Sequence, residues 1–189
     1  MCYPNMDAFE WLIKTFLERD GFWVRSSYKV NLTKQDKAAI GRPSCPRWEI
    51  DLVAYKAADN ELRLVECRSY LDSLGVRFSD FSGTEPADRY KLFKDATLRE
   101  IVTKRLIAEL VECGSCLPKP RSFLCLAAGK IRNENDRRML REHFKGSGWL
   151  LWDDEWIRTA LTQMSKGSSE NNVASVVAKL LLSGSAAHA

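Results

Sequence analysis

The amino-acid sequence predicts a mixed α/β domain, with an antiparallel hairpin early, strand–helix–strand crossovers later, and helices on both faces of one sheet. Three observations predict it. Apolar residues recur at three and four in residues 7–19 and 88–113, the spacing of amphipathic helices. The runs "WEIDLVAYK" and "ELRLVECRSY" are separated only by "AADN", which suits a hairpin. Beyond them, "RSFLCLAAG" and "WLLW" are short apolar runs that alternate with helical segments, the pattern of buried strands joined by crossovers.

Taken in order, "DAFEWLIKTFLER" (7–19) sets Phe9, Leu12, Ile13, Phe16 and Leu17 on one helical face, with Asp7 as N-cap and Gly21 past the end. "FWVRSSYKVNL" alternates as a strand. The stretch 33–47, with two prolines and a glycine, reads as a loop. The hairpin follows, with Asp59-Asn60 as its central turn pair. Residues 88–113 form one long helix or two abutting at Asp95. After the strand "RSFLCLAAG", Asn133 opens a charged helix to about Phe144, ended by Gly146 and Gly148. "WLLW" is a short strand, and Asp153 or Asp154 caps a helix through Leu161. "SKGSSENN" is a polar linker before a short apolar helix, "VASVVAKLLL", and a mobile tail.

Composition bounds the function without choosing it. A chain of 189 residues that is 45% hydrophobic can build an ordinary core. Its 29 Lys and Arg against 25 Asp and Glu give a net charge of +4, which permits nucleic-acid contact but does not announce it. Six cysteines lie mostly inside apolar segments, so free thiols are expected. With no membrane span and neither a basic n-region nor an apolar stretch in "MCYPNMDAFEW", the expected compartment is the cytoplasm.

The hairpin carries charge where strands normally carry apolar or neutral side chains. Alternation puts Asp51 on the face opposite Ile50 and Leu52, and Glu66 on one face with Arg68. A two-residue turn at Asp59-Asn60 sets Asp51 across from Arg68 and Val53 across from Glu66, which gathers Asp51, Glu66 and Arg68 on one face. Two carboxylates that close need a positive group between them: a metal ion, a proton or the Arg68 guanidinium. The alternative reading of the trio is a salt bridge that holds the hairpin in register.

In element order from residue 7 to about 113, and in the motif of Asp51 with Glu66-Cys67-Arg68, the chain resembles the PD-(D/E)xK nuclease superfamily, the restriction-endonuclease-like fold. The resemblance implies a restriction-endonuclease-like domain over residues 1–164, with 165–189 as linker, short C-terminal helix and tail. It implies a Mg²⁺- or Mn²⁺-dependent endo- or exonuclease, acting on DNA ahead of RNA. Asp51 and Glu66 would bind the metal, Cys67 would offer its carbonyl, and Glu10, at the rim of the first helix's apolar stripe, would be the helix acid. Arg68 stands where the family has Lys. It can stabilise charge on a phosphate, but it cannot be deprotonated in practice, and its planar fork also pairs with carboxylates in competition with a metal. The alternative function is therefore a catalytically inactive nuclease-fold module that binds nucleic acid or protein. Among lysines that could take the family role, Lys56 points to the opposite face, Lys91 and Lys94 would approach from the following helix, and Lys29 on the neighbouring strand is the preferred candidate.

Other constellations carry less. Cys113 and Cys116 have zinc-like spacing without a second pair and read as core cysteines at a helix end. "AAGK" lacks the spacing of a phosphate loop, although Lys130 and Arg132 lie where α/β sheets often bind ligands. Basic residues in Lys34–Arg47 and in "RNENDRRMLREHFK" could line a nucleic-acid groove, and Trp149, Trp152 and Trp156 read as core. The final apolar helix could dock on another chain, and a homodimer is one expected assembly.

Overall fold

A computed structural model describes residues 7–41, 47–82, 89–167 and 172–182. Helix α1 (Ala8–Arg19) is capped by the Asp7 side chain, which accepts from the Phe9 N–H, and it leads into strand β1 (Trp23–Val30). The expected loop after β1 holds a short helix, α2 (Lys34–Ala39), closed by a capping box between Thr33 and Asp36. Strands β2 (Trp48–Lys56) and β3 (Glu61–Arg68) form the hairpin. After single helical turns α3 (Ser79–Ser82) and α4 (Lys91–Lys94) comes the long α5 (Ala96–Glu112). The helical stretch is thus two helices that abut at Asp95, because this residue leaves helical dihedrals and its carboxylate caps the Leu98 N–H. Then follow β4 (Arg121–Ala128), α6 (Glu134–Ser147), β5 (Leu150–Trp152), α7 (Asp154–Lys166) and α8 (Val173–Leu182). Gly148, at φ 70°, ends α6; Gly146 stays inside it. Asp153 is the cap of α7, which runs five residues past the expected Leu161.

The five strands lie in the order β1-β2-β3-β4-β5. The first two pairings are antiparallel and the last two parallel, so this is the expected mixed sheet with crossovers through α5 and α6. One core gathers α4, α5 and α6 residues such as Phe93, Leu106 and Phe144 against Val53, Leu62 and Leu64. The other gathers Ile13 and Phe16 of α1, Ile157 of α7 and Ala178 of α8 against Leu52, Val65 and Cys125. Among the described residues no helix is long and apolar enough to cross a membrane.

Two expectations at the hairpin need correction. Lys56 pairs with Glu61, and the chain turns through a 3₁₀ segment at Ala57–Asp59 with Asn60 alone left-handed, so the loop has four residues instead of two. Paired positions therefore shift by two, and Asp51, just past the last pair Leu52↔Val65, falls level with Glu66 instead of Arg68. An even shift keeps every side chain on its predicted face. The alternation itself, however, breaks at Asp51. Ile50 belongs to the α5 core whereas Leu52 belongs to the α1 core, although both were expected on one face. The β1–β2 ladder passes from Ser26↔Leu52 to Tyr28↔Ile50 with a gap at Ser27, whose φ of 49° is left-handed, so the break in β2 lies opposite one in the edge strand.

Candidate active site

The break at Asp51 makes the site. Pairing of β2 with β3 stops at Leu52↔Val65, so the Cys67 N–H has lost its ladder partner, and the Asp51 carboxylate takes it at 2.8 Å. Arg68, the last residue of β3, folds its guanidinium back over the same spot. Nη1 donates to the Cys67 carbonyl at 2.8 Å and to Asp51 Oδ2 at 3.3 Å, and Nη2 donates to Glu66 Oε1 at 2.6 Å. The structure thus brings Asp51, Glu66, Cys67 and Arg68 together. The arginine is held from behind, since its own carbonyl accepts from the Gly129 N–H at the end of β4.

All four groups are partly or wholly withdrawn from water. Burial raises the Asp51 carboxyl above its ordinary range, against the Cys67 N–H and the Arg68 charge, which lower it. Glu66 is raised in the same way, burial again outweighing Arg68. Burial pulls Arg68 down, but Glu66 and Asp51 more than offset it and hold the guanidinium charged. The Cys67 thiol is pushed well up by burial and stays neutral, so its contribution to chemistry is its backbone.

Glu10, on the first turn of α1, joins the cluster through its field. Its carboxyl is raised to about 7, first by burial and next by the charge of Asp51, with Arg68 pulling the other way. It does not line the cleft of about 100 Å³ beside the acids, which is bounded by Trp48, Asp51, Glu66, Arg68, Tyr90 and Lys91 among others. Three carboxyl groups thus lie in the field of one guanidinium, and burial raises all three in spite of it.

Tyr90 and Lys91 are the residues that sequence reasoning undervalued. Tyr90 is buried, has the left-handed dihedrals φ 59° and ψ 33°, hydrogen-bonds Glu66 through its backbone, and lies with its ring 6.0 Å from the Arg68 guanidinium. A bulky residue in that conformation is strained, and strain of this kind gathers at functional sites. It delivers Lys91 to the cleft at the start of α4. Lys29, the preferred lysine, is instead half-exposed and ion-paired with Glu49 at 3.7 Å, because the register sets those two residues opposite each other on the edge pair. Lys56 pairs with Asp20 and Asp59 at the far end of β2.

Several secondary candidates have structural roles. Lys130 reaches the Ser73 carbonyl and Arg132 pairs with Asp136. Arg137 and Arg141 of the basic helix are neutralised by Asp153, Asp154 and Glu155. Cys116 is buried as expected, whereas Cys113 is exposed; both are free thiols, as are Cys67 and Cys125, while Cys2 and Cys45 lie outside the described residues. Trp149 packs in the α5 core and Trp152 in the α1 core, but Trp156, stacked on Trp152 at 5.2 Å, is 39% exposed.

Whether the donors suit the divalent ion that the resemblance implies can be judged from their chemistry. Among the described residues no three acidic, Cys or His side chains are grouped to hold a metal. The available set is two carboxylates and a backbone carbonyl, all hard oxygen donors of the kind Mg²⁺ and Mn²⁺ prefer. The three acceptors already converge on one cation, the Arg68 guanidinium, so the set fits a positive centre. Comparison with protein-family models, curated proteins and solved structures returns no match for this chain.

Proposed function

We propose that the chain is a divalent-cation-dependent phosphodiesterase acting on DNA, in a restriction-endonuclease-like fold, with Asp51, Glu66 and the Cys67 carbonyl as the ion's ligands. The observation that supports it is the convergence of those three oxygens on a single positive group where β2 and β3 splay apart. A bound Mg²⁺ or Mn²⁺ would supply Lewis acidity and a more acidic water. Glu10, outside the cleft lining and with its carboxyl raised to about 7, would assist through an intervening water. Arg68 and Lys91 bring positive charge to the wall of the cleft where a phosphate's charge would grow. For ion and arginine to serve together, Arg68 must release at least one of the oxygens it now holds.

A second reading is favoured by that same grip. If Arg68 keeps all three acceptors, the acids are neutralised internally and the protein is a non-cleaving nuclease-fold module that binds nucleic acid or protein. Incubation of supercoiled and single-stranded DNA with Mg²⁺ or Mn²⁺ separates the two. Cleavage by the wild type, reduced about 100-fold or more in Asp51→Ala and Glu66→Ala, supports the phosphodiesterase. Absence of cleavage by the wild type with its appearance in Arg68→Lys supports the neutralised module. Cleavage indifferent to Asp51→Ala removes the site.

A further inference from the structure

Helix α8 presents its side chains in the reverse of the usual amphipathic order. Its small residues Ala174, Ser175 and Ala178 are buried, the two alanines in the core that α1 and α7 share. Its large residues Val173, Val176, Val177, Leu180 and Leu181 are 68, 48, 45, 76 and 70% exposed. At about 100° per residue these five fall in one stripe about 140° wide. Scattered apolar side chains on a surface need no explanation, but a contiguous stripe on the order of 500 Å² is as large as the largest patch of a typical monomer, and patches of that size are often functional.

The stripe itself holds no charged residue, and Lys179 on the flank is the one charge in the helix. A helix built to lie on lipid carries several Lys or Arg along its polar face. In α8 that opposite face is instead packed into the protein's own core.

We propose that the stripe docks on the same stripe of a second copy, α8 against α8, antiparallel about a two-fold axis. Self-pairing supplies the matching surface without any further requirement: an uncharged apolar ridge of the same length. With the axis near Val177, Val173 of one copy meets Leu181 of the other, and the Val176, Val177 and Leu180 side chains fill the centre. Two copies then bury about 1,000 Å², the lower limit for a specific interface, so the dimer is reversible and depends on concentration. The inference is independent of the nuclease reading, because α8 contributes nothing to the acid cleft.

Sedimentation velocity on the full chain over about 1 to 100 µM tests it. The sedimenting mass should rise from that of one chain towards twice that value. Leu180→Lys should remain at one chain mass throughout with an unchanged circular dichroism spectrum, while Leu74→Lys, at a leucine 75% exposed elsewhere, should dimerise like the wild type. Val177→Cys should form under mild oxidation a dimer whose disulfide peptide mapping places at position 177, distinct from any link through the exposed Cys113. A wild type that stays at one chain mass at the highest concentration overturns the proposal, including one that instead sediments with anionic phospholipid vesicles. So does a dimer that persists in Leu180→Lys, or the absence of a Val177→Cys cross-link.

Discussion

Arg68 decides what the site does. Its fork ties Glu66, Asp51 and the Cys67 carbonyl at 2.6, 3.3 and 2.8 Å, which satisfies a β-strand end that would otherwise hold two partly buried carboxylates without a counter-charge. The trio was legible in part: the even, two-residue error in the turn kept Glu66 and Arg68 on their predicted face, whereas Asp51, at the break of alternation, joins them through the Cys67 N–H and Arg68. Glu10 was legible from its place at the rim of the apolar stripe, but the shift of its carboxyl was not, since that arises first from burial in the folded chain and next from the charge of Asp51, forty-one residues on. The shift has a testable sign. A carboxyl raised from 4.5 to about 7 favours the folded state fully below pH 4.5, and that contribution is lost as pH rises through about 7. Glu10→Gln should therefore gain melting temperature relative to the wild type as pH rises from about 5 to 8, in thermal unfolding followed at each pH. Parallel curves would show that the fold does not raise the Glu10 carboxyl.

The elements that the sequence hid are those with too few residues for a period to show. Helix α2 has a Thr33-x-x-Asp36 capping signature that was available and went unread inside a loop rich in Gly and Pro. Residues 69–82 have no hydrophobic period, yet they form a bridge from Val76 to Ile131 and the single turn α3. Lys91 could be named but not placed, for the same reason: a one-turn helix, entered through a left-handed Tyr90, sets its direction. The connection after β3 also explains Gly129. A Cβ there would run into the Ser69 carbonyl, backbone against backbone, and the Gly129 N–H holds the Arg68 carbonyl at 2.8 Å. Gly129→Ala should cost about 2 kcal/mol in denaturant unfolding and weaken Mn²⁺ binding with it. Gly146→Ala is the control: its Cβ meets open space inside α6, and it should stabilise by about 0.5–1 kcal/mol without touching the site.

At the scale of the molecule, the sheet order follows the chain, and the hairpin and the later crossovers that the element sequence predicted lie in one sheet. Continuous apolar runs in β4 told of helices on both sides, and two cores lie there. What the pattern could not carry was the break of alternation at Ser27 and Asp51. It lies opposite one left-handed residue in an edge strand, and the acid cleft opens beside it at the end of β3. The molecule so built is a scaffold that holds two carboxylates and a carbonyl around a positive centre. Calorimetric titration of Mn²⁺ into the wild type, Arg68→Ala and Asp51→Asn tests that claim most directly. A single saturable site is expected in the wild type, tighter by about tenfold or more once Arg68→Ala removes the competing cation, and lost in Asp51→Asn. Absence of binding in Arg68→Ala, or binding that Asp51→Asn leaves unchanged, would contradict it.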